Sequence, residues 1–379
     1  MTLCFFSAQY LPTVGGVERY TFQLAKRAAA DGHRAIVVTS ALPGLPEQET
    51  DPNGIEIFRL PVWPVMKGRF PVLRPGADFV RLTRQLFSLP IDRAVVQTKM
   101  YTESVWAACA LRRRGVPFLV IDHSTGFMPM GGGLPGFCGR LYERMACAVI
   151  RAQGPAFYGV SQAVCGWLER GFGITAAGCL PNAVDPDALR ADGGATDWRA
   201  RLGLGPQTRL AAFVGRLIPE KGAGALAEAV RSLPGTALLV AGDGPLRAAL
   251  AAGGPPVFCP GNLSPAEVAA LLRQADVYCL PTRYAEGFPT TLLEAAACRC
   301  PIVCTHTAGT GELLPGPDYA VFLEDVTPAA IAAGLRAVLE DPAAAACRAE
   351  RACQNVERHF TWDAVYAMLL EQLAQPGRA

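Results

Sequence analysis

The chain has 379 residues, of which 51% are hydrophobic and 18% charged, and its formal net charge at pH 7 is +2. This length exceeds one ordinary core and predicts two domains. The small net charge excludes a globally basic nucleic-acid-binding protein, and no uninterrupted apolar run approaches the ~18 residues that span a bilayer.

Short apolar runs alternate with helical patterns from the beginning of the chain. In the first half, the runs typical of buried strands are TLCFFSAQ, RAIVVTS, IEIFRL, RAVVQTK, PFLVIDH and AFYGVS. Between them, two segments predict helices that end in Gly after a basic last turn, namely ERYTFQLAKRAAADG and ESVWAACALRRRG.

The second half repeats this alternation. The predicted strands are RLAAFVG, TALLVAGDG, PVFCPG, DVYCLPT, PIVCTH and AVFLED, and the predicted helices are AGALAEAVRSL, PAEVAALLRQA and TTLLEAAAC. Such alternation indicates parallel sheets covered on both faces. The sequence therefore predicts an α/β fold with two doubly wound, Rossmann-like domains.

The domain boundary is predicted near LPNAVDPDAL, at residues 180–188. We expect an N-terminal domain over residues 1–182, a C-terminal domain over residues 183–356, and a final amphipathic helix, FTWDAVYAMLLEQL, within residues 357–379. Ligands of open parallel sheets bind beyond the carboxyl ends of the strands. Two sheets that face each other would therefore bind a ligand in the cleft between them.

Two loops after predicted strands have the chemistry to bind a nucleotide diphosphate. In YLPTVGGVERY, Gly15 and Gly16 allow close backbone approach before a helix N-terminus, although a Gly-Gly pair is also an ordinary turn. In FVGRLIPEKG, Arg216 and Lys221 can converge on an anion, and the alternative is a pair of solvated surface cations. A third loop, AGDGPLR, lacks the G-x-G-x-x-G spacing of a dinucleotide site.

Two further motifs concern a histidine and a pair of aspartates. His123 in IDHSTGF is one of four histidines and follows a predicted strand, where a histidine is either structural or catalytic. VDPDA contains a D-x-D, which binds a metal in some sugar transferases. Here Pro186 and the loop position favour a turn between the domains with a helix cap at Asp187.

The stretch EGFPTTLLEAAACRCPIV places Glu286 and Glu294 eight positions apart. Pro289 ends any regular element before the following helix, and Thr291 with Glu294 fits a T-x-x-E capping box. Either Glu294 caps its own helix and Glu286 is a solvated loop residue, or both carboxylates bind a ligand. A capping role for Glu294 does not exclude ligand binding.

The N-terminal segment MTLCFFSAQYLP lacks a basic leader and a small-residue cleavage site, so we expect no signal peptide. Thirteen cysteines in such a chain favour reduced thiols and a cytoplasmic location. Three of them, Cys298, Cys300 and Cys304, lie in an apolar segment, and we interpret them as buried small side chains rather than zinc ligands.

Taken together and in this order, the motifs resemble the retaining glycosyltransferases of family 4, also called glycosyl transferases group 1, which have the two-domain GT-B fold. The resemblance covers nearly the whole chain. It rests on GGVERY, IDHSTGF, LPNAVD, VGRLIPEKG, GDGPLR, SPAEVAALLRQADVYCLPT and EGFPTTLLE, and on FTWDAVYAML, which is similar to the helix that crosses back to the N-terminal domain.

The resemblance implies a role for each motif residue. Glu286 would contact a hydroxyl of the donor sugar, and Glu294 would bind the ribose hydroxyls, because a carboxylate offers two acceptor oxygens. Arg216 and Lys221 would neutralise the departing diphosphate, and His123 would contact the donor sugar or steady the reacting centre. The other implied donor contacts are Gly15 and Gly16 at the phosphate, Asn262 and Leu263 at the base, and Phe288, Thr290 and Thr291 at the sugar and phosphate.

The implied reaction transfers a sugar from a UDP- or GDP-linked donor to a glycan or lipid-linked acceptor in cell-surface polysaccharide or glycolipid synthesis. An oxocarbenium-like state requires stabilisation of the departing diphosphate. The sequence offers no obvious carboxylate nucleophile, which fits front-face retention assisted by the leaving phosphate. Since Arg216 and Lys221 can replace a metal at the diphosphate, we expect neither a metal nor another cofactor.

Two alternatives share the fold but not the transferase activity. A GT-B sugar-nucleotide 2-epimerase would need additional acid–base carboxylates and histidines, and of the histidines only His123 is well placed. A non-catalytic nucleotide-sugar-binding protein would keep the fold without turnover. The presence of Arg216, Lys221, Glu286 and Glu294 argues against this second alternative.

Residues 58–84 form a Pro-rich segment with six cations, one acid and interleaved apolar side chains. We expect a loop, since no strong strand or helix pattern is present. Its apolar residues either pack into the first domain or dock on an anionic membrane, with Trp63 and Phe70 at the interface. Docking would make the protein a peripheral enzyme at the inner face of the membrane. The cations are Arg59, Lys67, Arg69, Arg74, Arg81 and Arg84.

Overall fold

The computed structural model describes residues 1–13, 15–128, 131, 133–191, 196–283, 288–307 and 309–374. Glu286 and the side chain of Lys67 lie outside the described part, so their predicted roles stay predictions. The chain divides into two compact units, the first comprising Met1–Asn182 and Trp362–Ala379 and the second Ala183–Thr361.

The first unit is built on an eight-stranded sheet with the order β10-β9-β8-β7-β1-β2-β4-β3. Its neighbouring strands are parallel except for the antiparallel pair of β3 and β4. The strands of this sheet are β1 Thr2–Phe6, β2 Arg34–Ser40, β3 Gln48–Thr50, β4 Glu56–Leu60, β7 Arg93–Gln97, β8 Phe118–Asp122, β9 Ala156–Gly159 and β10 Gly178–Cys179, and a separate hairpin comprises β5 Val62–Val65 and β6 Phe70–Leu73.

Apolar strand sequences explain why this sheet is internal. All five residues of β1 are buried, as are six of the seven residues of β2, which is typical of parallel strands covered on both faces. The edge strand β3 is exposed and polar, so it ends the sheet. The helices of this part of the chain are α1 Gly16–Ala30, α2 Ala77–Leu86, α3 Thr102–Arg113, α4 Gly133–Arg151 and α5 Gln162–Phe172.

The second unit has a six-stranded, fully parallel sheet with the order β13-β12-β11-β14-β15-β16. Its strands are β11 Arg209–Val214, β12 Thr236–Ala241, β13 Val257–Gly261, β14 Val277–Leu280, β15 Ile302–Thr305 and β16 Val321–Leu323. Its helices are α6 Pro186–Arg190, α7 Trp198–Arg201, α8 Ala223–Arg231, α9 Arg247–Ala252, α10 Pro265–Gln274, α11 Thr290–Ala297, α12 Thr310–Leu313, α13 Pro328–Leu339 and α14 Pro342–His359. The predicted α/β fold with two doubly wound domains is confirmed.

The last helix, α15 Trp362–Ala374, belongs to the first unit. Trp362 is buried and its ring contacts Tyr20 of α1 edge-on, with the ring centroids 5.5 Å apart. Near the other end of α15, Arg93 Nε donates a hydrogen bond of 2.8 Å to the carbonyl oxygen of Leu373. Segments about 280 residues or more apart in sequence therefore share one core.

The prediction of a loop over residues 58–84 is wrong. The segment contains the end of β4, the hairpin β5–β6 and most of α2, with Pro64 and Pro71 opposite each other in the hairpin. Arg59 is buried in β4 and forms an ion pair of 2.5 Å with Glu49, so it cannot reach a lipid headgroup.

The membrane-docking alternative placed two aromatic residues, Trp63 and Phe70, at the interface, and the structure treats them differently. Trp63 is 50% exposed on β5, which fits an interfacial position. The ring of Phe70 instead stacks on Tyr101 at a centroid distance of 5.4 Å and contacts Tyr142 edge-on at 5.7 Å. Phe70 therefore packs within the first unit rather than at a lipid interface.

The cap expected at Asp187 lies two residues earlier. Asp185 is the residue before α6, and its Oδ1 accepts a hydrogen bond of 3.0 Å from the backbone N–H of Ala188. Pro186 occupies the first helical turn, where its missing N–H is not needed. In the described part of the chain, no helix combines the length and apolar character that crossing a membrane requires.

Candidate active site

The second sheet reverses its strand order between β11 and β14. The chain runs from β11 outward through β12 to β13, and then returns to β14 on the opposite side. Ligands of open parallel sheets bind beyond the carboxyl ends of the strands at such a switch point. The loops that follow β11 and β14 contain RLIPEKG and the approach to α11, so most of the predicted donor residues lie at this edge.

The two predicted phosphate-binding cations follow β11. Arg216 is exposed in the bend after the strand, whereas Lys221 is only 8% exposed at the end of a 3₁₀ turn, Pro219–Lys221. The next residue, Gly222, has a φ of 76°, and a Cβ there would meet the carbonyl of Pro281. Only glycine fits this backbone, and so the turn that holds Lys221 packs against the end of β14.

Backbone hydrogen bonds join this loop to its neighbours. The N–H of Arg283, after β14, donates to the carbonyl of Glu220 at 2.8 Å, and the N–H of Leu217 donates to the carbonyl of Asp243, after β12, at 2.9 Å. Since each bond links two strand ends, the edge of the sheet is a connected framework rather than a set of independent loops.

Gly242 shows how closely these strand ends approach each other. It follows β12 with a φ of 139°, and a Cβ at this position would overlap the carbonyl of Gly215, which follows β11. Backbone contact between adjacent strand ends therefore explains the glycine at 242, and a φ of 158° explains the glycine at 215. Close approach of a ligand is not required to account for them.

The predicted base-contacting residues follow β13. Asn262 is exposed, and Leu263 is partly buried against the core of the second unit. Directly after them, Ser264 and Glu267 form a reciprocal capping box at the start of α10, in which the N–H of Ser264 donates to Glu267 Oε2 at 2.9 Å. This cap fixes the backbone of the PGNLS loop.

The start of α11 differs from the predicted capping box. The residue before the helix is Pro289, no side chain caps the helix, and Thr291 already lies inside it. The hydroxyl of Thr291 accepts a hydrogen bond of 2.8 Å from the Tyr278 hydroxyl of β14. The capping interpretation of Thr291 with Glu294 is therefore wrong.

The remaining predicted residues of this helix differ in exposure. Thr290 is exposed at the first helical position and Glu294 is half-buried one turn further on. Phe288 is buried and its ring lies 5.4 Å from that of Phe360. Pro289 makes no side-chain cap hydrogen bond, and the first N–H groups of α11 lie at the loop edge with the positive end of the helix dipole.

In the first unit, the strand order reverses between β1 and β7. Gly15 and Gly16 follow β1, and Gly16 begins α1 with open space at its Cβ position. A Cβ on Gly15 would instead overlap the carboxylate of Glu18, which is buried in the first turn of the helix. The carboxyl group of Glu18 therefore already lies beside this helix N-terminus, and burial raises its pKa.

His123 follows β8, the strand beyond β7. Its Nε2 lies 2.8 Å from Gln97 Oε1, and its ring contacts Tyr20 edge-on at a centroid distance of 5.0 Å. Burial lowers the pKa of His123 to about 4, with Lys99 acting in the same direction and Asp122 opposing both. The imidazole is therefore neutral at pH 7, and its Nε2 donates to the amide oxygen of Gln97.

A buried charged cluster beside His123 was missed by the sequence analysis. Lys99 Nζ lies 2.8 Å from Asp122 Oδ2 and 3.3 Å from Glu143 Oε1, and all three side chains are at most 1% exposed. Burial disfavours the charge on Lys99, but the two carboxylates outweigh it and raise the pKa of this lysine. The available signal was a polar residue at the end of each of two apolar runs, QTK and VID.

Within the described ranges, no group of three or more His, Cys, Asp or Glu side chains is arranged to hold a metal ion. The D-x-D at Asp185 supplies a helix cap. Metal independence stays a prediction.

Two family models together match most of the chain. The model described as Glycosyltransferase Family 4 matches residues 14–188, and the model described as Glycosyl transferases group 1 matches residues 195–355. The chain belongs to glycosyltransferase family 4. The recognition made from the motifs is confirmed, and this family-4 protein is a glycosyltransferase with the GT-B fold.

Relatives of this glycosyltransferase match nearly its whole length. It is 28% identical to a glycogen synthase of Mycobacterium tuberculosis, over 96% of this chain and 92% of the relative. It is also 28% identical to a GDP-mannose-dependent phosphatidylinositol dimannoside mannosyltransferase of the same species, over 96% and 93% of the two chains. Among solved structures, Anabaena Alr3699/HepE in complex with UDP-glucose matches with a TM-score of 0.73 and 17% identity over 99% of both chains.

Proposed function

We propose that this glycosyltransferase transfers a sugar, with retention of configuration, from a nucleoside diphosphate sugar to a glycan or lipid-linked acceptor. The observation that supports this best is Lys221, buried in the same loop as Arg216 at the switch point of the second sheet. A buried cation at the end of a parallel strand is suited to the diphosphate that develops charge as the sugar leaves.

In this proposal, each donor group meets a different part of the loop edge. Lys221 and Arg216 bind the diphosphate, and the first N–H groups of the helix, at Thr290 and Thr291, add the positive end of α11. Glu294 accepts hydrogen bonds from the ribose hydroxyls, one turn along the same helix. The base lies against the backbone of Asn262 and Leu263.

The roles of Glu286 and His123 at the sugar are proposed from the sequence alone. His123 would present its unprotonated Nδ1 as an acceptor to a sugar hydroxyl, since Nε2 donates to Gln97. No carboxylate in this constellation is assigned as a nucleophile. The departing phosphate itself would assist the acceptor hydroxyl on the face that it leaves.

The names of similar proteins support a nucleotide donor. One relative is named as GDP-mannose-dependent, and one solved neighbour holds UDP-glucose. A thermal-shift screen against UDP-, GDP- and ADP-sugars tests the choice, because a ligand at ~100 times its Kd stabilises the folded state by roughly 2.7 kcal/mol. Failure of all three donors to raise the Tm would contradict the proposed donor class.

Turnover is tested separately by nucleotide release in the presence of donor. Lys221→Ala should lower kcat about a hundredfold, since one group that stabilises a developing anion contributes ~3 kcal/mol. The matched control is Lys26→Ala, which removes an exposed lysine from α1. Wild-type rates in Lys221→Ala would contradict the site, and donor binding without release of nucleotide would identify a non-catalytic binding protein.

We also propose that the enzyme contacts the inner face of an anionic membrane when its acceptor is lipid-linked, as in cell-surface polysaccharide or glycolipid synthesis. Support within residues 58–84 is limited to the hairpin, where Trp63, Val65 and Met66 are exposed. Phe70 and Arg59 are excluded from this contact, since both pack inside the first unit.

A further inference from the structure

The outer face of α4 is apolar although it faces solvent. Helices of this length on a domain surface ordinarily have polar outer faces. Here the inner side of α4 is buried through residues such as Ile150 and Glu143. The outward side exposes five large apolar residues, each 41% to 74% exposed, which are Leu134, Phe137, Leu141, Met145 and Val149.

These five residues form one continuous stripe. Their spacings of three and four residues confine them to an arc of about 120° at 3.6 residues per turn, opposite the buried side. Scattered exposed apolar residues need no explanation, but a contiguous exposed stripe over four turns marks a contact surface.

The charges on α4 have one sign where they are exposed. Arg140, Arg144 and Arg151 are exposed, and helical spacing puts all three along one flank of the stripe. The one acid of the helix, Glu143, points inward and lies 3.3 Å from Lys99. The outer surface of α4 therefore combines apolar side chains with cations alone.

Helix α4 also contacts the hairpin of β5 and β6. Tyr142 of α4 contacts Phe70 of β6 edge-on and donates a hydrogen bond of 2.9 Å to the carbonyl of Met100. Phe70 thus joins α4 to the hairpin that exposes Trp63 and Met66. Two neighbouring elements of the first unit expose large apolar side chains.

We propose that the α4 stripe and its arginine flank are a docking surface for an anionic lipid bilayer. A helix that lies in the membrane interface needs apolar residues on one side and cations at the level of the headgroups, which α4 provides. A second copy of this chain fits less well, because an antiparallel pairing of two α4 stripes would bring their arginine flanks together.

Docking through α4 rests on the membrane contact proposed above and specifies the surface that makes it. Nucleotide release tests the donor chemistry independently. The experiment is cosedimentation of the full chain with vesicles of phosphatidylcholine alone or mixed with phosphatidylglycerol. The wild-type protein should bind the anionic vesicles, and added salt should weaken this binding.

Two variants separate the apolar and the charged contributions. Phe137→Ser with Leu141→Ser and Met145→Ser should abolish vesicle binding, and Val80→Ser, at an apolar residue of α2 that is 50% exposed, should not. The double variant Arg140→Gln with Arg151→Gln should lower the coefficient for partition of the protein onto anionic vesicles roughly thirtyfold. Its control is Arg231→Gln with Arg358→Gln, which removes two exposed cations from the second unit.

Nucleotide release from a soluble donor should be unchanged in all four variants, which shows that each one is folded. The proposal is overturned if the wild-type protein ignores anionic vesicles, or if the stripe variant binds them as well as wild type does. It is also overturned if sedimentation velocity shows a dimer that the stripe variant abolishes, since the surface would then join two copies.

Discussion

Acidification should destabilise the fold through His123. Its pKa lies at about 4 in the folded protein against an ordinary value of 6.5, so the unfolded chain binds this proton more tightly. Stability is therefore unaffected above pH ~7.5 and falls as the pH drops from about 6.5 toward about 4. Proton linkage with these two pKa values lowers the free energy of unfolding by about 2 kcal/mol at pH ~5.

Urea denaturation at the two pH values measures this loss as a difference between proteins. His123→Asn removes the titrating ring, so its stability should fall by about 2 kcal/mol less than that of the wild type between pH ~7.5 and pH ~5. The matched control is His359→Asn, at an exposed histidine of α14, which should lose stability like the wild type.

NMR of the side chains gives a second measurement, because the chain has four histidines. One imidazole should stay neutral at pH ~6 with its proton on Nε2, and its signals should be missing from His123→Asn. If the wild type and His123→Asn lose equal stability, the lowered pKa of His123 is refuted. If the ring is protonated at Nδ1, the hydrogen bond from Nε2 to Gln97 has been assigned wrongly.

Further predictions concern the donor site, the metal and the buried cluster. Glu294→Ala should raise the Kd of the nucleotide about tenfold with a smaller effect on kcat, measured by calorimetry and nucleotide release, and an unchanged Kd would remove Glu294 from the ribose site. EDTA should leave the rate of nucleotide release nearly unchanged, and an inactivation that magnesium or manganese reverses would contradict metal independence. Lys99→Met leaves Asp122 and Glu143 buried without their cation, which should cost about 3–5 kcal/mol in urea denaturation, and a loss below ~1 kcal/mol would refute this assignment of the cluster.

The regular part of the fold was predictable because the signals are local. RAIVVTS coincides with β2, and TTLLEAAAC with α11 to within one residue, since runs of apolar residues specify buried strands and helices directly. The hairpin of β5 and β6 escaped prediction because Pro64 and Pro71 interrupt both strands. Proline is confined to edges and bulges of sheets, and these two residues pair with each other in a separate two-stranded sheet.

The candidate site was predictable only as far as its motifs extend. Arg216, Lys221 and Glu294 stand in short stretches with the composition of a binding loop, so the sequence locates them. The cluster of Lys99, Asp122 and Glu143 depends on which strands and helices are neighbours, and the chain separates its members by 21 to 44 residues. Pairing over such separations is decided by topology, which no local pattern shows.

The return of α15 to the first unit has a consequence for the order in which this chain folds. The first unit is discontinuous, and the core around Tyr20 lacks the indole of Trp362 until α15 has been synthesised. The second unit, Ala183–Thr361, is one continuous segment and can complete its core earlier. On the ribosome, the unit whose synthesis begins first is therefore completed last, and until then the apolar surface that α15 covers stays accessible to chaperones.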